Sequence, residues 1–197
     1  MNYVLPGMGA THEMYTGPWR NLKNTSFLNW PIGSKSTSIP EIAAEIIELH
    51  NIKSGDSMTG TSLGGMVACE IASQLSLESL VLIGSAKHKK EINTLLRTLA
   101  PLVDLTPLEF IKKTAGKLDT QLTEMFAQSE PRFIRNMCKA ILKWDGLKAD
   151  PKLLRIHGTQ DHIIPIPLDT DVRIDGGHLI VMKNAEACVE PIIQFFQ

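Results

Sequence analysis

Leu80-Val81-Leu82-Ile83-Gly84 is an unbroken apolar run closed by a glycine. A strand with one wet face alternates apolar and polar residues, so a run without alternation fits a strand that is dry on both faces. Such strands belong to parallel sheets covered by helices on either side, and this pentapeptide therefore points to an α/β architecture. The remaining segments agree with it. Asn2–Pro6, Thr25–Trp30, Leu153–His157 and Asp171–Ile174 read as strands. Asp56–Thr59 should be another, although Met58 is its only large apolar residue. Between them, Ser38-Ile39-Pro40-Glu41 has the capping-box pattern that opens a helix, and Ile42, Ile46, Ile47 and Leu49 follow at near-helical spacing. Leu63–Leu75 carries Met66, Val67, Ile71 and Leu75 on a second helix, and Asn184 should cap a last one that runs to Phe196. Residues 87–151 contain no convincing strand. Ile92, Leu95, Leu96, Leu99, Leu102 and Val103 recur at helical spacing, and so do Ile134, Met137, Cys138, Ile141 and Leu142 after Pro131. The chain is thus expected to form a single domain over residues 1–197, with a helical insertion at 87–151.

Composition narrows the class of function. Hydrophobic residues make up 43% and charged residues 21% of the 197 residues, which suits a chain with its own core and excludes disorder. The formal charge of -1 favours neither nucleic acid nor an anionic membrane. Met1 to Tyr15 lacks the basic start and apolar stretch of a signal peptide, and no window reaches the length of a membrane span. Cys69, Cys138 and Cys188 are widely separated and odd in number, which argues against a disulfide framework or a zinc site and for a reducing, cytoplasmic setting. Each lies in a helix-like apolar pattern and is expected in the core.

Gly60-Thr61-Ser62-Leu63-Gly64 fits G-x-S-x-G between a strand and a helix. A serine on so tight a turn projects its hydroxyl from the sheet, and side chains two positions to either side would collide with the neighbouring helix and strand. The N–H of Leu63 then lies at a helix N-terminus, where negative charge is favoured. A glycine-rich turn with a capping serine is the plain alternative. Among the six histidines, His178 follows Gly176-Gly177 just after the last strand, at the sheet edge where open α/β folds place their sites. Asp161, four residues past a strand, can accept the Nδ1 proton of His178. Ser62, Asp161 and His178 thereby stand in the order nucleophile, acid, base. A turn histidine and an Asx-turn aspartate are the competing readings. Asp150, Asp169, Asp171 and Asp175 are weaker candidates for the acid, because they sit at the wrong edge, in a solvated approach, or beside the final strand. Pro6-Gly7-Met8-Gly9 follows the first strand, and the N–H of Met8 pairs with that of Leu63 as a candidate oxyanion donor. A dinucleotide loop would need a third glycine and a later acidic strand end, and the sequence has neither.

Taken together, Pro6-Gly7-Met8-Gly9, Gly60-Thr61-Ser62-Leu63-Gly64-Gly65, His157-Gly158-Thr159-Gln160-Asp161 with Ile164-Pro165, and Gly176-Gly177-His178 resemble the oxyanion, nucleophile, acid and histidine segments of the α/β-hydrolase superfamily, in the family's order. Pro6 to Tyr15 and the helical insertion resemble small carboxylesterases of the type that includes the pimeloyl-ester esterase of biotin synthesis. The resemblance implies an α/β-hydrolase fold with a lid over an acyl pocket. It also implies a serine hydrolase that takes a small-molecule acyl ester or thioester, with no metal or organic cofactor. Three departures accompany it. The chain begins at the strand before the oxyanion loop, so the family's first two strands are expected to be missing. The strand before Ser62 is polar. The Asp161-to-His178 spacing is short, which implies a trimmed helix before the last strand. A reduced sheet of about six mostly parallel strands is expected. An acyltransferase or lyase on the same fold, and a binding protein that has kept the fold without catalysis, are the rival readings.

Overall fold

The computed structural model describes residues 1–92 and 130–197. Six strands, β1 (Asn2–Leu5), β2 (Thr25–Phe27), β3 (Ser57–Thr61), β4 (Ser79–Ile83), β5 (Lys152–Gly158) and β6 (Val172–Ile174), form one sheet in the order β2-β1-β3-β4-β5-β6. All five pairings are parallel. Among the described residues the α-helices are α1 (Ile39–His50), α2 (Leu63–Gln74), α3 (Pro131–Lys143), α4 (Ile180–Lys183) and α5 (Ala185–Phe195). The chain steps outward from β1 to β2 and then crosses back to β3 on the other side. The loops leaving β1 and β3 therefore diverge at the centre of the sheet, which is where open α/β sheets form a crevice.

β4 has the two dry faces that its sequence requires. Leu80 and Leu82 join one core with α1 and α2, through Ile42, Ile46, Val67 and Ile71. Val81 and Ile83 join a second core with Trp19, Val181, Cys188 and Ile192. β3 lies beside it, fully buried and mostly polar, and its polar groups are satisfied across the sheet. Thr59 Oγ1 donates to Asn2 Oδ1 at 3.1 Å, Ser79 Oγ donates to Ser57 Oγ at 2.8 Å, and Thr61 Oγ1 lies 2.9 Å from the Tyr15 hydroxyl. Hydrogen-bonded hydroxyls remove the cost of burying an apparently unsuitable strand.

Several boundaries differ from the sequence reading. β2 stops at Phe27, and Trp30 leaves the sheet to bond the loop after β1. The last helix runs unbroken over Ala185–Phe195, as the sequence reading has it, and a further short helix, α4, precedes it. Asn184 lies between α4 and α5, and its side chain makes no cap, reaching back instead to the Asp175 carbonyl at 3.5 Å. Leu49 is 59% exposed rather than in the core, because α1 turns Ile39, Ile42, Ala43 and Ile46 inward. Cys69 and Cys188 are buried as expected, whereas Cys138 is only partly so. Ser38 does cap α1, accepting from the Glu41 N–H at 3.3 Å, but the Glu41 carboxylate returns to the Thr37 N–H at 2.6 Å. The expected helix over 92–103 and most of the 87–151 insertion lie outside the described residues; α3 near its end is helical. The segment between β5 and β6 holds no helix. No described helix is long and apolar enough to cross a membrane.

Candidate active site

Ser62 forms the turn from β3 into α2 with φ 53° and ψ −119°. A non-glycine residue held there costs about 1–3 kcal/mol, so the surroundings must impose it. They do so from three sides. The Ser62 N–H donates to the Ile83 carbonyl at 3.0 Å. The Ser62 carbonyl accepts from Gly65 N–H at 3.0 Å, Met66 N–H at 3.3 Å and Ser85 Oγ at 2.7 Å. The turn is also pressed against its neighbours, which accounts for the glycines. A Cβ on Gly60 would stand 2.5 Å from Gly65 Cα, one on Gly64 would collide with the carbonyls of Leu5 and Pro6, and one on Gly65 would strike Ser85.

His178 leaves the loop after β6 and points both ring nitrogens at named partners. Nε2 lies 2.9 Å from Ser62 Oγ, and Nδ1 lies 2.7 Å from Asp161 Oδ2. An ionised carboxylate can only accept, so Nδ1 carries the proton and Nε2 is the acceptor for the serine hydroxyl. Asp161 follows β5, and its side chain is fully shielded from solvent. Its Oδ1 accepts from the N–H groups of Ile163 at 2.9 Å and Ile164 at 3.0 Å. Burial pulls the Asp161 carboxyl upward, but hydrogen bonds from His157, His178 and Ile164 outweigh it and hold the group well below the usual carboxylate range.

The other candidate acids are engaged elsewhere. Asp171 accepts from the Arg155 N–H at 2.8 Å, Asp175 accepts from Gln160 Nε2 at 2.8 Å, and Asp169 pairs with Arg155 and Lys87. Asp150 is exposed near the start of β5, at the opposite end of the strand from Asp161.

Gly7 passes directly over the serine: a Cβ there would lie 3.6 Å from Ser62 Cβ. Within this loop the Ala10 N–H donates to the Gly7 carbonyl at 3.1 Å. The Leu63 N–H, at the first position of α2, has no intrahelical acceptor. Cys138 Sγ on α3 lies 4.0 Å from Met8 Sδ. Burial pushes its thiol up to about 11, which keeps it protonated and poorly nucleophilic at neutral pH. Among the described residues no group of three His, Cys, Asp or Glu side chains is placed to hold a metal ion.

The sequence reading assigned no role to four residues that shape this site. His157 is buried in β5, and its Nε2–H donates to the Ile164 carbonyl at 2.8 Å with Asp161 Oδ2 at 3.3 Å. Tyr15 ties the ends of β1 and β3 together, donating to the Leu5 carbonyl at 2.9 Å beside Thr61. Ser85 and Trp30 hold the serine turn and the loop after β1. His157 had a signal of its own, a histidine four residues before the acid; the others did not.

No family model matches the chain, and no curated protein matches it. Solved structures do. A hydrolase from Oleispira antarctica superposes with a TM-score of 0.79 at 15% identity, covering 100% of this chain and 90% of that one. The enol-lactonase of Burkholderia xenovorans LB400 gives 0.77 at 14% identity, with 99% and 90% covered. The type II thioesterase of the borrelidin biosynthetic cluster gives 0.72 at 16% identity, with 100% and 92% covered. The chain has the α/β-hydrolase fold.

Proposed function

We propose that the protein is a serine hydrolase that cleaves a carboxylic ester or thioester through an acyl-enzyme on Ser62. The observation that carries this reading is the continuous chain of contacts from Ser62 Oγ through both nitrogens of His178 to Asp161. In the first half-reaction Ser62 Oγ attacks the acyl carbon while its proton passes to His178 Nε2. The imidazolium so formed is stabilised by Asp161, which stays ionised because three other donors already hold its carboxylate. The tetrahedral oxyanion takes hydrogen bonds from the N–H groups of Met8 and Leu63. Collapse breaks the bond to the alcohol or thiol, which leaves with the proton from Nε2. Water then attacks the acyl-enzyme, His178 takes its proton, and collapse releases the acid and returns the proton to Ser62.

The strained turn supports the same reading. It holds Oγ against Nε2 at 2.9 Å without an ordering step, and the serine is otherwise a costly residue at that position. The enol-lactonase and the thioesterase of the same fold cleave acyl–oxygen and acyl–sulfur bonds, so both bond types belong in the substrate panel. The test is labelling by a fluorophosphonate, together with turnover of p-nitrophenyl esters of increasing acyl length and of acyl-CoA thioesters. The parent is expected to label at Ser62 and to turn over at least one class. Ser62→Ala is expected to stay folded, not to label, and to lose several orders of magnitude in rate. Ser62→Ala activity within threefold of the parent would overturn the assignment.

A further inference from the structure

The orientation of the Met8 N–H depends on a residue far from it in sequence. In a trans peptide the C=O and the following N–H lie in one plane and point in opposite directions. Gly7 C=O and Met8 N–H form one such unit. The Gly7 carbonyl accepts two hydrogen bonds, from the Ala10 N–H at 3.1 Å and from Trp30 Nε1 at 2.9 Å. The first is local to the turn and moves with it. The second comes from outside the loop and pins it to the body of the protein. With its oxygen held toward the indole, the peptide turns the Met8 N–H away from Trp30. The indole is in turn fixed by Phe133 of α3, whose ring centroid lies 5.2 Å away.

We propose that Trp30 is a positioning residue for the oxyanion site: its indole N–H, by clamping the Gly7 carbonyl, sets the direction in which the Met8 N–H can donate. The proposal rests on the hydrolase reading above. It assigns Trp30 an effect on the transition state rather than on the ground state, because the oxyanion exists only in the former. It also ties α3 to the chemistry through one ring contact, since Phe133 packs against the indole.

The test is Trp30→Phe, which keeps an aromatic ring against Phe133 and removes the N–H. Replacement of Trp30 by benzothienylalanine, which exchanges the ring N–H for sulfur at nearly unchanged shape, serves as the second variant. Deleting an oxyanion donor costs about 10²–10³ in kcat, and loosening one should cost less. Both variants are expected to lose about tenfold in kcat with KM within twofold, and to bind a boronic acid transition-state analogue more weakly by the same factor as the loss in kcat/KM. Their melting midpoints should stay within about 4 °C of the parent, since the Ala10 bond to Gly7 remains. A kcat within twofold of the parent in the benzothienyl variant overturns the proposal, as does a change confined to KM, which would make Trp30 a wall of the acyl pocket. A parent that neither labels with fluorophosphonate nor hydrolyses any ester removes the hydrolase reading and this inference with it. A parent that does both while the Trp30 variants match it removes this inference alone.

Discussion

Asp161→Asn separates a carboxylate from its nearest isostere at a site where every neighbour is a donor. Oδ2 faces His178 Nδ1 and His157 Nε2, and Oδ1 faces the N–H groups of Ile163 and Ile164. An amide offers one acceptor oxygen and one NH2. If the NH2 takes the Oδ1 side, two amide hydrogens oppose two backbone N–H groups that cannot adapt. Each buried donor left unsatisfied costs about 1–3 kcal/mol, or roughly 2–6 kcal/mol for the pair. If the NH2 takes the Oδ2 side, His178 can adapt by moving its proton to Nε2, and His157 keeps its bond to the Ile164 carbonyl. The second arrangement is therefore favoured. It presents an N–H rather than a lone pair to Ser62 Oγ, so the general base is lost. The productive tautomer survives only as a minor population. The cost of reaching it corresponds to a loss of about 10²–10⁴ in kcat, with KM nearly unchanged. Steady-state kinetics on an activated ester, normalised to protein that melts like the parent, measures it, and ¹⁵N spectra of the imidazole report the tautomer directly. Asp175→Asn is the control: its carboxylate is exposed and binds Gln160 and Thr159, so the change should cost less than tenfold. A folded Asp161→Asn protein that loses less than tenfold, or one whose His178 keeps its proton on Nδ1, would refute the reasoning.

Three further outcomes are expected. Because the folded Asp161 carboxyl is held below its unfolded range, its contribution to stability is complete above about pH 4 and is lost as pH falls through the folded value; denaturation midpoints from pH 6 down to pH 2.5 should fall more steeply for the parent than for Asp161→Asn, and parallel curves would contradict this. Gly64→Ala should cost about 3 kcal/mol, since its Cβ would meet the carbonyls of Leu5 and Pro6 rather than a movable side chain, and differential scanning calorimetry should show a midpoint lowered by roughly 6–12 °C. Gly7→Ala should melt near the parent, because its Cβ makes ordinary contacts of 3.6 Å and 3.8 Å, yet turn over more slowly, because one of those contacts is Ser62 Cβ; a Gly7→Ala protein of full activity would mean that this loop does not bound the reacting group.

The parts of the site that could be read from the sequence are those whose geometry is local. The backbone of a G-x-S-x-G turn is set within a few residues, and Gly60, Gly64 and Gly65 announce close approaches whatever approaches them. That Asp161 lies beside His178 while Asp150, Asp169, Asp171 and Asp175 do not follows from its position on the sheet, past the carboxyl end of β5. What escaped were contacts between distant residues. The Trp30 indole and the Gly7 carbonyl are 23 positions apart, and Ser85 and Ser62 are also 23 apart. No pattern within one segment encodes either. β3 is faint in the sequence for a related reason: the partners of Thr59, Ser57 and Thr61 lie on β1, on β4 and in the loop holding Tyr15, so nothing within the segment accounts for its polarity. Arg155 in β5 is the same case, a buried charge answered by Glu91, 64 positions away, and by Asp169.

Ser62 and His178 are 116 positions apart, and this separation has a consequence for the chain as it is made. The loop after β1, the serine turn and the Ile83 and Ser85 groups that hold that turn all lie within residues 1–85. The acid and the histidine come from the loops after β5 and β6. A nascent chain that ends before β5 lacks Asp161 and His178, the groups that on the proposed mechanism take the serine proton. The contacts that complete the relay are among the least local in the fold, and contacts of that kind form slowly. On the proposed mechanism, reactivity is thereby coupled to completion: Ser62 would act as a nucleophile only in a chain whose sheet has closed as far as its β6 edge.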